Sequence, residues 1–413
     1  MLPTELKLAR VALTQTCAPL RDVEQSTRTS LAPLCGSIRP GMRVAVAVGS
    51  RGISNLALIV RTAVDVLRAQ GAEPFIIPAM GSHGGGTAAG QEAVLAGYGI
   101  TEQTVHAPVR ATMEVVPLGF TEGMPRIPVF MDRFAFESDG VLAINRVKPH
   151  TDFHGEHESG IVKMLTIGLG KHRQALQMHS YGADGLRDYI PRVSRVVIES
   201  GKLLGALGIL EDGCDNTSRV AFARPEEIFA LDSELLAQAR RSIARLPFDD
   251  LDLLIVDCMG KDYSGTGLDT NVIGRMRIRG SEDTAPHCRR VVTLDLSPAS
   301  HGNALGVGLA DVVTRRLVDK IDWRVTQENV VTSGFLERGF LPIVCETDQA
   351  AVGVGLRGLG RPVDPESVRA VRIRNTLALG EAWVSPALLR ELPDVQTEAS
   401  ALTFDSAGNI CVF

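Results

Sequence analysis

No Cys-x-x-Cys pair occurs among the seven cysteines, which stand at 17, 35, 214, 258, 288, 345 and 411. That absence excludes the usual iron–sulfur and structural zinc patterns, and an odd, widely spaced set reads as free thiols in a reducing compartment. No apolar run reaches the ~20 residues that a membrane-spanning helix needs. The net charge is only -5 and no basic run exists, so neither nucleic acid nor an anionic membrane is an expected partner. The opening stretch, MLPTELKLARVAL, mixes acid and base into a short apolar run, unlike a secretory leader, and a cytoplasmic location is expected. Short-period repeats and low-complexity linkers are missing as well. So are two nucleotide signatures: Gly49-x-x-Gly52 lacks the third glycine of a dinucleotide fingerprint, and no phosphate loop ends in Gly-Lys-Ser or Gly-Lys-Thr.

What is present is an ordinary globular composition, 45% hydrophobic and 22% charged, over 413 residues, enough for two domains with separate cores. Val44 to Val48 is an apolar run that ends in Gly49-Ser50-Arg51-Gly52, and Leu56, Ile59, Val60, Ala63, Val64 and Leu67 follow at helical spacing. Strand, glycine loop and helix then recur: Pro74 to Pro78, a loop containing Ser82-His83-Gly84-Gly85-Gly86, and a helix through Gln91 to Leu95. Gly140 to Ile144 reads as a third strand. Such units predict parallel sheet, with ligands at the carboxyl ends of the strands. A helix around Leu231 to Leu246 ends at Pro247, after which Leu253 to Val256, Val291 to Leu296 and Leu341 to Cys345 read as strands and Ala304 to Leu317 as a helix. The expected class is α/β: two α/β domains with largely parallel sheets and an interdomain cleft. Residues 1–248 form the expected cofactor-binding domain and 249–394 the domain that closes the cleft, with the tail 395–413 returning to the first.

Five of the nine histidines, His150, His154, His157, His172 and His179, lie between Val141 and His179, interleaved with Lys148, Lys163 and Lys171 and with glycines 155, 160, 168 and 170. Histidine serves as acid, base or metal ligand near neutral pH. His83 stands on a bare glycine loop at a strand end, and Pro149-His150 emerges on the same edge of the sheet. Ser50 and Arg51 precede a helix, where backbone N–H groups, the helix dipole and a bidentate guanidinium suit a phosphate or carboxylate. Lys163 and His179, 16 residues apart, converge only if the chain reverses at Gly168 and Gly170. These residues describe acid–base or metal chemistry on a small anion, without choosing a reaction.

His83 within Gly-Ser-His-Gly, Pro149-His150, the Ser-Gly-x-x-Lys that ends at Lys163, and His179 beyond it resemble the nickel-dependent lactate racemase superfamily. Ser-Arg-Gly-Ile at 50–53 is similar to a divergent branch of it. The resemblance implies a nickel pincer nucleotide: Lys163 would tether it, and His179 would fill nickel's fourth position, in the square-planar geometry that suits this metal. It also implies His83 and His150 as the catalytic pair, Ser50 and Arg51 in the anion-binding loop, and cofactor-maturation proteins as partners. The implied activity is racemisation or epimerisation of a 2-hydroxy acid. Histidine, with a pKa of ~6.5, falls some twenty units or more short of deprotonating the carbon beside a carboxylate. Removal as hydride avoids that deficit but needs an electron-poor acceptor that no side chain supplies.

The chain departs from the racemases in three places. Val48-Gly49-Ser50-Arg51 replaces Asp-x-Thr-Arg, so an acidic residue is lost. The interval from His150 to Lys163 is longer, which makes His154 a candidate substitute. Asp269-Thr270-Asn271 matches a family motif, but Gly274 stands where a glutamine is expected, so Lys261, Arg275 and Arg277 are the expected carboxylate contacts. A 2-hydroxy acid other than lactate follows. The alternatives are a metal-dependent lyase or hydrolase with zinc on His150, His154 and His157, and a non-catalytic nucleotide-binding protein.

Overall fold

The computed structural model describes residues 1–49, 52–278, 281–392 and 397–411. The chain divides into two compact units, one made of Thr16–Ile243 and the other of Met1–Gln15 with Ala244–Phe413. Both are α/β.

In order, the strands are β1 (Lys7–Ala12), β2 (Arg43–Val48), β3 (Glu73–Pro78), β4 (Val115–Phe120), β5 (Pro128–Asp132), β6 (Gly140–Arg146), β7 (Leu203–Glu211) and β8 (Thr217–Ala223). They continue as β9 (Asp250–Val256), β10 (His287–Thr293), β11 (Val312–Thr314), β12 (Ile343–Cys345), β13 (Ala370–Ile373), β14 (Glu381–Val384) and β15 (Ser400–Ala401). The Thr16–Ile243 unit holds a five-stranded sheet of order β3-β2-β6-β7-β8. Its first four strands run parallel and β8 is antiparallel. β2 pairs in register with both neighbours, Val48 opposite Pro78 on one side and Ile144 on the other. Proline at both ends of β3 is tolerated because β3 is the end strand of this sheet. The Leu56–Ala69 helix covers one face, burying the six apolar positions whose spacing announced it against Val44, Val46 and Val48. Each large side chain so buried contributes about 1.5–3 kcal/mol.

The second unit is built on an eight-stranded sheet, β12-β11-β10-β9-β13-β14-β1-β15, parallel from β12 through β13. From Leu253 to Val256, β9 is apolar without interruption because both its faces are covered. Leu254 and Val256 enter one core, while Leu253 and Ile255 enter the other.

Four expectations are corrected. Residues 1–15 belong to the C-terminal unit, because β1 pairs antiparallel with β14, Ala9 opposite Val384. The tail stays with that unit too, since Ser400 and Ala401 pair with Leu8 and Lys7. Ala304 to Leu317 is not one helix: a short 3-10 turn at Val307–Leu309 leads into β11, whose Val312 and Val313 fill the place between β10 and β12. Finally, Cys17 and Cys214 form a disulfide across 197 residues, leaving free thiols at 35, 258, 288, 345 and 411. The physical reason is Asp212, which accepts hydrogen bonds from the N–H groups of Ala18 (2.7 Å) and Cys214 (2.9 Å) and so draws the two cysteines together.

Arg275 and Arg277 meet a carboxylate, but it is the chain's own. Arg275 donates to Asp311 at 2.8 Å and to the carbonyls of Leu309, Cys288 and Arg289, while Arg277 donates to Asp311 at 2.6 Å. These guanidiniums tie the 275–277 segment to the β10–β11 connection, and their assignment to substrate is withdrawn. Asp311→Ala strands the Arg275 charge with carbonyl partners only, at an expected cost of about 3 kcal/mol. A fall in the urea midpoint at unchanged m-value measures it; a loss below ~0.5 kcal/mol, the size of an ordinary surface change, contradicts it.

Candidate functional site

The chain leaves β2 for β3 on one side and reaches β7 from β6 on the other, so the strand order reverses between β2 and β6. Open α/β sheets bind ligands outside the carboxyl ends of the strands at such a reversal. Here three adjacent strands, β3, β2 and β6, deliver the His83 loop, the glycine loop and the histidine-rich segment to one edge. Adjacent strands are about 4.8 Å apart, so these segments start within roughly 10 Å of one another. Ser50 and Arg51 lie outside the described residues. Gly49 just before them is pressed against Asn145 so closely that a Cβ would fall 2.1 Å from its Oδ1.

The segment after β6 is a closed loop. Lys148 and Ser159 exchange backbone hydrogen bonds (2.8 and 3.2 Å) at its neck. Its interior is occupied by the buried Glu158 carboxylate, which accepts from the N–H groups of His150 (2.6 Å) and Gly155 (3.1 Å) and from Arg240 (2.5 Å), and pairs with His154 at 3.3 Å. Burial pushes the Glu158 carboxyl up, but its bonds to His154, Arg240 and the His150 N–H outweigh this and hold it below the usual range.

A second carboxylate fixes Lys163. Asp232, on the Ile228–Ser242 helix, accepts from the N–H groups of Ile161 (2.5 Å) and Val162 (3.3 Å), capping the turn that carries this lysine, and binds His157 Nδ1 at 3.1 Å. A helix cap of this kind contributes about 1 kcal/mol. Gly160 is required here, since its Cβ would meet Asp232 Oδ1 at 2.1 Å. His154 and His157 are thus held by different carboxylates, Glu158 and Asp232. The three imidazoles expected to share a zinc ion do not converge, and among the described residues no three His, Cys, Asp or Glu side chains are placed to hold one.

His150 and Lys163 do come together, and the Lys163 charge reaches the His179 ring. His150 Nε2 touches Lys163 Nζ, and the Asp152 N–H donates to His150 Nδ1 at 3.0 Å. After Lys163 the chain takes a π-helical turn, Met164–Gly168, and reverses into the Lys171–Ser180 helix, which brings His179 back. Its Nδ1 is buried with no hydrogen-bond partner among the described residues. Burial chiefly, and then the Lys163 charge, holds the His179 pKa below the ordinary value, with Asp152 acting the other way.

His83 is held against the same helix by a network that the sequence does not announce. Lys171, fully buried with φ +55, pairs with buried Asp132 at 2.9 Å and donates to Pro78 O and to Gln91 Oε1 (3.2 Å). Gln91 in turn donates to the carbonyls of Gly81 (2.8 Å) and His83 (3.3 Å). Burial raises the Asp132 carboxyl and lowers the Lys171 amine; desolvation opposes both charges, and their mutual attraction offsets it. In the other unit, Lys261 Nζ donates to Gly265 O (2.5 Å) and Asn329 Oδ1 (3.0 Å).

The fold defined here is that of an α/β protein of two units, with imidazoles and an amine at a strand-order reversal. No protein-family model matches the chain. No curated protein matches it in sequence. Among solved structures it is similar to the lactate racemase apoprotein from Thermoanaerobacterium thermosaccharolyticum, at 13% identity and TM-score 0.49 over 68% of this chain and 69% of that one. It is also similar to a structural-genomics crystal structure of a Thermotoga maritima protein, at 14% identity and TM-score 0.51 over 86% of this chain and 94% of that one. The latter likeness, running nearly the length of both chains, establishes a shared fold.

Two outcomes test this geometry. Lys171→Met leaves Asp132 buried without its cation and is expected to cost about 3–5 kcal/mol, read from urea denaturation; a cost under ~1 kcal/mol contradicts the buried pair. The second outcome concerns His179. Because its folded pKa lies below the free value of ~6.5, the unfolded chain takes up a proton that the folded chain refuses as pH falls. The stability tied to the neutral ring is whole above about pH 6.5 and is lost below it. His179→Gln is therefore expected to flatten the acid-side decline in stability that begins near pH 6.5; an unaltered decline rules out the buried neutral ring.

Proposed function

We propose that this chain racemises or epimerises a 2-hydroxy acid other than lactate, with a nickel pincer nucleotide held at the β2–β6 edge. The observation that carries the reading is the contact of His150 with Lys163, whose charge also acts on the buried His179 ring. The donor set fits the group. A nickel ion already bound by the cofactor's own arms asks the protein for one further nitrogen, and the buried, unpartnered His179 Nδ1 is such a donor. Its depressed pKa keeps it neutral, as ligation requires, at physiological pH. Lys163, fixed by the Asp232 cap, presents the amine for covalent attachment.

When bound, the group supplies an electron-poor ring able to accept and return hydride. The remaining work belongs to side chains. His150 and His83, on loops from different strands, take the proton from the substrate hydroxyl oxygen and return it, one serving each face of the planar keto acid. Asp152 fixes the His150 ring through its backbone N–H, and Glu158 fixes the backbone of the same residue. The guanidinium of Arg51, which the resemblance puts in the anion-binding loop, is of the kind that pairs with a carboxylate through two N–H groups, and it is the proposed contact of the substrate carboxylate. Loading of the cofactor by maturation proteins is part of the same proposal.

Protein made in cells that synthesise the cofactor is expected to carry nickel and a mass adduct that Lys163→Ala abolishes. Single enantiomers of 2-hydroxy acids are expected to lose optical activity with this protein. His83→Ala and His150→Ala are expected to slow that loss by about 10²–10⁴-fold. An adduct-bearing, nickel-bearing protein that leaves a broad panel of 2-hydroxy acids optically unchanged sinks the racemase reading while sparing the cofactor site.

A further inference from the structure

We propose that the opposite end of the five-stranded sheet, at the start of β2 and β3, is a second binding site, for a small phosphate-bearing anion. A cavity of about 250 Å3 opens there, lined by Arg43, Arg68 and Arg110 together with Glu73, Phe75 and Pro108. The three arginines arrive on three different segments. Arg43 opens β2, opposite Glu73 in the β2–β3 register. Arg68 stands in the last turn of the Leu56–Ala69 helix. Arg110 is placed by backbone pairing alongside β3, where its N–H donates to Ile76 O at 2.9 Å and the Ile76 N–H donates to Pro108 O at 2.8 Å.

Phe75, 3% exposed, is the floor on which two of them rest: the Arg110 guanidinium lies 4.8 Å and that of Arg43 6.0 Å from its ring centroid. This stacking orients the guanidiniums and leaves their N–H edges available. Among the described residues none of the three makes an ion pair or donates a side-chain hydrogen bond. Elsewhere in the same unit Arg28, Arg146, Arg187 and Arg219 each hold a carboxylate. Among the lining residues three cations face the single Glu73 carboxylate, and the Asp139 carboxylate, which accepts the Arg43 backbone N–H at 2.7 Å, still leaves an excess of positive charge in a chain whose net charge is -5.

Those charges repel one another until an anion enters between them, and planar guanidinium forks match phosphate oxygens bidentately. The cavity is smaller than the roughly 300–1,000 Å3 of ordinary ligand pockets. It has room for a phosphate and a few further atoms, whose apolar part would lie on the exposed Pro108. Its position makes it separate from the histidine-lined edge. The six residues of β3 stand between the cavity and the His83 loop, a rise of roughly 20 Å. One small ligand cannot reach both.

Calorimetric titration of the cofactor-free chain at fixed ionic strength, with inorganic phosphate and with phenyl phosphate, tests the site without depending on the racemase reading. Saturable one-to-one binding is expected, weakened about tenfold or more by Arg110→Gln and again by Arg43→Gln. Equal affinity for both probes assigns the site to free phosphate, whereas tighter phenyl phosphate assigns it to a monoester. Both variants alter exposed side chains, and an unchanged melting temperature without ligand shows that they fold. Absence of saturable heat from either probe up to ~10 mM overturns the proposal, as does undiminished binding to the double variant.

Discussion

The parallel pairing of β2 with β3 on one side and β6 on the other is the constraint from which the site derives. Backbone ladders hold Val48, Pro78 and Ile144 level. Everything attached to the carboxyl ends of these strands therefore begins at one height on one edge. No side chain of the site has to create that proximity. The side chains refine it: Asn145 against Gly49, Glu158 inside the closed loop, and Asp232 beneath the turn of Lys163.

Buried carboxylates do the refining. Glu158 and Asp232 each gather donors from segments that the sequence keeps far apart, and each satisfies backbone N–H groups that an apolar interior would leave stranded. The Asp132–Lys171 pair does the same for the glycine loop of His83. These are expensive groups to bury, and removing a single partner costs far more than the intact pair gains over an apolar replacement. The outcome is a rigid frame on which the imidazoles of His150 and His179 retain defined neighbours.

The local part of this design was legible in the sequence. Apolar runs followed by glycine loops marked β2, β3 and β6, because a parallel strand covered on both faces must be apolar throughout. The helical spacing from Leu56 to Leu67 was equally plain, and the crowding of histidines pointed to the segment in which His150 meets Lys163. The division of labour among them was not legible. His154 and His157 look as chemical as His150, and only the remote Glu158–Arg240 and His157–Asp232 contacts show them to be part of the frame. Asp232 reads as a polar residue on an amphipathic helix, and nothing near it in sequence tells of the lysine turn about 70 residues earlier that it caps. Lys171 was hidden for the same reason. Arg275 and Arg277 misled because a guanidinium suited to a substrate carboxylate is equally suited to Asp311.

The placement of β1 bears on how the polypeptide is made. β1 finds its neighbours only in β14 and β15, which are synthesised about 370 to 390 residues after it. At 5–20 residues per second this delay is on the order of tens of seconds, while Thr16–Ile243 has all its own strands to hand much sooner. Until then β1 must wait as an unzipped ribbon, and its Lys7 and Arg10, set among apolar neighbours, supply the charge that discourages a waiting strand from pairing with the wrong edge.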